Sequence, residues 1–253
     1  MDNDNKAVGA GSALLVVVIG AGIYFYKFAT PASVSVPSTP EASAPAAASS
    51  APSVEPLPKV EESDGFIRGK ASALSTDPVF AAWLKTDDLL PRFAAAVNII
   101  EQGRVPKDGL SFLAPRKKFK VRTKAGKLYE DAASCARYDA AAGAVGSLDA
   151  PAAARLFLKY KPLFEEAYQG LGERKGDVQD ALVRAAQELL KTPVVAGGIP
   201  LKEKGIGYAY VDDALERLSP AQKQLLRMGP KNQATIQAKL REFALALNGP
   251  DAR

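Results

Sequence analysis

Residues 7–26 are twenty consecutive positions without a formal charge, set between Lys6 and Lys27, with Leu14, Leu15, Val16, Val17, Val18 and Ile19 at their centre. At about 1.5 Å of rise per residue, a helix of that length covers the roughly 30 Å hydrocarbon core of a bilayer. The stretch therefore predicts a single transmembrane helix, and everything after Lys27 would hang from a membrane. A cleaved signal peptide is the competing reading, but its apolar region usually runs for only about 7 to 15 residues and ends at small residues. Here Tyr24, Phe25 and Tyr26 occupy that place. They suit an interfacial aromatic belt, with Lys27 reaching the headgroups behind them.

Orientation follows from the flanking charges. Lys6 and the amino terminus face Lys27, and residues 31–58 contain no Lys or Arg, so little beyond Lys27 would retain the following segment in the cytoplasm. The expected arrangement is a short cytoplasmic tail over residues 1–6 and a signal anchor over residues 7–28 of a bacterial inner membrane. The rest of the chain would lie in the periplasm. Residues 29–58 consist almost wholly of Pro, Ala, Ser, Thr and Val, a composition that cannot bury enough apolar surface to offset ordering. This Pro-rich linker is expected to be disordered and could span up to roughly 90 Å if extended. A folded domain is expected over residues 59–253, about 190 residues and enough for one well-filled core.

The 253-residue chain carries a net charge of +5 and contains no histidine and a single cysteine, Cys135. Without histidine, Ser-His-Asp and Cys-His nucleophile activation are excluded, as is the commonest zinc ligand. One cysteine permits no internal disulfide; it is read as a buried small apolar residue, with a dimer-linking bridge as the alternative.

Within the domain the apolar spacing is mainly helical. Ser63 is placed to cap a first helix, Asp77-Pro78 to start a second, and Thr86-Asp87-Asp88 to start a third carrying Leu89, Leu90, Phe93, Ala94, Val97 and Ile100. Asp149-Ala150-Pro151 begins a long helix through Tyr168 that Pro162 should kink. Asp177 caps the next, Asp212 or Asp213 a short one, Ser219-Pro220 another, and a last helix starts at Pro230. Between these patterns, Phe119, Val121 and Thr123 alternate with Lys118, Lys120, Arg122 and Lys124, and Lys124-Ala125-Gly126-Lys127 can reverse the chain, which predicts a small β-hairpin. Residues 194–211 read as loop with one or two short strands. The fold class is mainly α: a multi-helix domain with one small hairpin.

Lys161-Pro162-Leu163-Phe164-Glu165-Glu166-Ala167-Tyr168, Thr192-Pro193 and above all the run from Leu218-Ser219-Pro220 to Met228-Gly229-Pro230 resemble the bacterial domain of unknown function 3014 family, over roughly residues 59–247. The resemblance implies an amino-terminal membrane segment, a Pro/Ala-rich tract and one helical domain, and brings no activity with it.

Phosphate-binding and dinucleotide patterns are absent in usable form. Gly65-Phe66-Ile67-Arg68-Gly69-Lys70-Ala71 is one residue short of a Walker A spacing and lacks its hydroxyl, and Gly205-Ile206-Gly207 lacks a third glycine. No cofactor or metal is expected. Glu165 with Glu166, or Glu173, is the carboxylate set that could act on a glycan, although neighbouring residues of a helix point in different directions. The candidate binding surface is Arg116, Lys117, Lys118, Lys120, Arg122, Lys124 and Lys127; from Arg104 to Lys127, nine basic residues against Asp108 give a local +8. Such density suits an anionic surface, whereas charged side chains that merely protect an edge strand are the alternative. The expected function is a non-enzymatic structural, adaptor or binding module whose partner is an envelope protein or an anionic envelope surface rather than nucleic acid. A glycan-acting cell-wall enzyme is the second reading, and the oligomeric state is left open.

Overall fold

The computed structural model describes residues 56–106, 115, 117–172 and 176–247. The expected anchor at residues 7–28 lies outside them, as does nearly all of the linker. Among the described residues no helix is long and apolar enough to cross a membrane.

Elements follow the capping signals closely. In chain order they are α1 (Asp64–Ala71), α2 (Pro78–Trp83), α3 (Leu89–Glu101), β1 (Val121–Lys124), β2 (Lys127–Glu130), α4 (Ala132–Ala136), α5 (Asp139–Gly146), α6 (Ala150–Lys159), α7 (Lys161–Gln169) and α8 (Val178–Leu190). After these come β3 (Pro200–Lys204), β4 (Gly207–Tyr210), α9 (Asp213–Glu216), α10 (Pro220–Leu226) and α11 (Gly229–Leu247). Asp77, Asp149, Asp177 and Asp212 each accept a backbone N–H of the first turn they precede. Ser219 and Gln222 close a reciprocal capping box at α10, so both ends of that turn are satisfied from within four residues. Gly65 and Gly69 both fall within α1, so the segment is helix and not the glycine-rich loop that a phosphate cradle requires.

Three local expectations are corrected. Ser63 makes no cap; its hydroxyl donates instead to the carbonyl of Val60. Asp88 sits in the left-handed region at φ 58° and does not cap α3. The Asp64 carboxylate does so from α1, accepting the N–H groups of Asp88 and Leu89 at 2.7 and 2.8 Å. Pro162 ends a helix rather than bending one. It occupies the first turn of α7, where its missing N–H costs nothing, and the chain breaks at Tyr160 into two separate helices.

The main core forms where α11 packs along α5, α6 and α8 while α3 packs along α7 and α8. Ile236, Leu240 and Phe243 from α11, Ala94, Val97 and Ile100 from α3, and Leu182, Ala185 and Leu189 from α8 are fully buried there. Phe93, Phe157 and Phe164 interlock at ring-centroid distances of 5.1 and 5.2 Å, the edge and tilted geometries that ring quadrupoles favour. The C-terminal carbonyls of α8 lack helical partners. Gln237 of α11 donates to the carbonyls of Leu189 and Thr192, and Gln233 to those of Thr192 and Pro193.

The one or two short strands expected within residues 194–211 are two, β3 and β4, and they form half of a sheet. β3 and β4 form a second hairpin, and β3 pairs with β2 through Leu128 opposite Leu201 and Tyr129 opposite Pro200. The result is one antiparallel sheet in the order β1-β2-β3-β4. Its inner face carries Val121, Leu128, Leu201 and Tyr210, which pack on Ile199, Leu215 and Leu226 to make a second, smaller apolar cluster.

Candidate functional site

Strand alternation decides what the outer face of this sheet presents. Arg122 lies opposite Tyr129, Lys124 opposite Lys127, Lys202 opposite Ala209 and Lys204 opposite Gly207. With side chains alternating at a period of two, the register puts Arg122, Lys124, Lys127, Lys202 and Lys204 on one side. All five are exposed, and no acidic residue of the four strands shares that side. The Arg122 guanidinium lies over the Tyr129 ring at 5.8 Å, within range of a cation–π attraction. Lys204 pairs with Glu216 of α9 at 3.2 Å. Burial would raise the Glu216 carboxyl, but the hydrogen bond from Lys204, the Tyr210 N–H and nearby Lys223 outweigh it and hold the group below the usual carboxylate range.

The sequence-derived basic residues are divided between two settings. Arg122 and Lys124 lie on β1 and Lys127 on β2, whereas Lys117, Lys118 and Lys120 are exposed on the segment leading into β1; Arg116 falls outside the described residues. That segment is fastened to α4. The buried Ser134 hydroxyl accepts the Lys120 N–H at 2.7 Å and donates to the Lys120 carbonyl at 2.9 Å. Arg137 donates to the carbonyl of Lys117 and lies over the Phe119 ring at 5.5 Å.

Beneath the sheet lies a cavity of about 40 Å³, lined by Glu130, Cys135, Val195, Gly198, Leu226 and Gln233 among others, with room for a small number of waters. Glu130 reaches it from the inner side of β2, Cys135 from α4 and Gln233 from the second turn of α11. Gly229 opens α11 at φ 80°, and a β-carbon there would stand 2.8 Å from the Cys135 sulfur. Only glycine admits this approach. Oε1 of Glu130, Oε1 of Gln233 and the Tyr210 hydroxyl are buried and find no hydrogen-bond partner among the described residues.

Burial raises the Glu130 carboxyl from an ordinary value of 4.5 to about 7, against the opposing pull of Arg227, Arg137 and the Cys135 thiol. Burial and then Glu130 push the Cys135 thiol up to about 11, so at neutral pH it is a thiol and a poor nucleophile. The Tyr210 phenol is raised in the same way. At neutral pH the group is a set of largely uncharged polar side chains around one carboxyl poised between its two states.

The sequence-derived carboxylates are placed elsewhere. Glu165 accepts the Val178 N–H at 2.8 Å and the Gln169 amide at 2.7 Å, which ties α7 to the start of α8. Glu166 is exposed, and Glu173 lies outside the described residues. Sequence reasoning missed Lys202 and Lys204 as partners of the first hairpin, and missed the cavity entirely. The available signal for the lysines was their alternation around Leu201 and the Gly205-Ile206-Gly207 turn. Nothing local marked Glu130 or Gln233.

The family model described as Protein of unknown function (DUF3014) matches residues 89–244, which takes in the sheet, the cavity, α3 to α10 and most of α11. No curated protein matches the chain, and no solved structure matches it.

Proposed function

The chain belongs to the DUF3014 family, and from that premise we propose a non-enzymatic binding module, tethered to a bacterial inner membrane by residues 7–28. It presents its helical domain to the periplasm, and the outer side of its sheet is the contact surface for an anionic partner. The observation that carries this reading is where the cations sit. Edge protection accounts for Arg122 and Lys124, since β1 is an edge strand and charge on an edge discourages further pairing. It does not account for Lys127, Lys202 and Lys204 sharing that same side from the two central strands β2 and β3, which pair with each other only at Leu128–Leu201 and Tyr129–Pro200. Five exposed cations gathered on one side of a sheet, at a cost in mutual repulsion, match a negatively charged partner.

The test is cross-linking in intact cells with the full chain and with a variant carrying Gln at positions 122, 124, 127, 202 and 204. Loss of a reproducible cross-linked partner in the variant is the expected result. Equal recovery from both chains would overturn the reading, and recovery of muropeptides would move it toward a glycan-acting protein.

A further inference from the structure

We infer that the turn between β3 and β4 is a membrane finger that docks the domain on an anionic phospholipid bilayer; this rests on the reading of the sheet as an anion-binding surface and names its partner. Ile206 stands at that turn and is 97% exposed. A two-residue hairpin turn favours Gly, Asn or Asp, and Gly205 at φ 58° meets the need for a positive dihedral. The isoleucine beside it satisfies no requirement of the turn and contacts no core. A bulky apolar side chain held out on a hairpin turn is suited to an apolar phase outside the domain.

Register places both hairpin turns at the same end of the sheet. Leu128 pairs with Leu201, and from that pair β2 runs back to Ala125-Gly126 while β3 runs forward to Gly205-Ile206. The second turn lies about two residues beyond the first, or about 7 Å at the rise of a strand. That is comparable to the roughly 5 to 10 Å to which interfacial segments bury their apolar side. Behind it stand Lys124, Lys127, Lys202 and Lys204, with Glu203 and the Glu216 that pairs with Lys204 as acids beside them and Tyr208 partly exposed beside Phe119. Asp131, Asp212 and Asp213 follow β2 and β4 at the opposite end. An apolar tip backed by cations, with acids at the far end, complements an apolar layer covered by anionic headgroups. A compact acidic protein would be matched by the cations without the protruding isoleucine. With residues 7–28 as the anchor proposed above, the intervening residues 29–58, up to roughly 90 Å long if extended, would be sufficient to let the domain return to the same bilayer.

The experiment uses the full chain with Ile206→Trp, reconstituted in bilayers containing lipids brominated in their acyl chains, either anionic or neutral. Native Trp83 is buried and supplies a constant background. We expect the added tryptophan to be quenched in anionic bilayers and released by neutral lipid or high salt. Lys202→Gln and Lys204→Gln should each lower the docked-to-free ratio by about fivefold. An unquenched tryptophan in anionic bilayers overturns the inference. If it is unquenched while the sheet cations still direct cross-linking to an envelope protein in cells, the anion-binding reading stands without the bilayer. If both signals are absent, both readings fall.

Discussion

Replacing Glu130 by Gln should stabilise the domain at neutral and alkaline pH and remove a downward slope that the parent shows between about pH 4.5 and pH 7. The folded carboxyl holds its proton up to about 7, whereas the unfolded one releases it near the ordinary value of 4.5. Below the lower value both states are protonated and Glu130 is neutral toward stability. Between the two values the unfolded chain binds fewer protons than the folded one, so stability falls as pH rises. Above about 7 the folded carboxyl ionises too and the penalty levels off. A rise of this size corresponds to on the order of 3 kcal/mol at the plateau. The amide returns part of that gain, because its NH₂ group must find an acceptor in a buried pocket, a cost of about 1 kcal/mol where it does not. The net expectation is a stabilisation of about 1 to 3 kcal/mol at alkaline pH and none, or a slight loss, at acid pH. Urea unfolding followed by circular dichroism from about pH 4 to about pH 8 measures both limbs. Other acids contribute slopes of their own, Glu216 in the opposite sense, but they cancel in the difference between parent and variant. Parallel stability curves for the two proteins would refute the reasoning, since Glu130 would then titrate alike folded and unfolded.

Gly229→Ala should destabilise by about 1 to 3 kcal/mol, because the β-carbon would meet Cys135 at 2.8 Å and the position has φ 80°; the urea midpoint reports it, and Cys135→Ala should not rescue it, since the Cys135 β-carbon is equally close. Asp64→Ala should cost about 1 kcal/mol by uncapping α3, whereas Asp88→Asn, which removes the carboxylate but keeps a residue tolerant of φ 58°, should leave the unfolding midpoint nearly unchanged, and comparing the two midpoints separates the two aspartates. Residues 56–247 expressed alone should be soluble and strongly helical by circular dichroism, since the apolar sides of α3, α8 and α11 bury one another; a fragment that sharpens only in detergent would place the anchor in the core.

What the sequence determined by itself is what is settled within a few residues. Asp77, Asp149, Asp177, Asp212 and Ser219 cap helices because their side chains reach N–H groups two or three positions on, and the first hairpin is written in the alternation around Val121 and in the Ala125-Gly126 turn. Proline at the start of α7 was visible, but whether the chain bent or broke at Tyr160 depended on how the two halves packed. The second hairpin was half legible: Lys202, Lys204 and Ile206 lay in an evident turn region, yet what they face was set by the pairing of Leu128 with Leu201, more than seventy residues apart. A strand's register gains its energy from the partner strand and the core beneath it, so neither hairpin alone specifies a shared basic side. The same holds for Asp64, which caps a helix from another one, and for Glu130, Cys135 and Gln233. Each of those three is an ordinary residue in its own segment, and only the closing of β2, α4 and α11 around one cavity removes the water that would have held Glu130 at an ordinary carboxylate value.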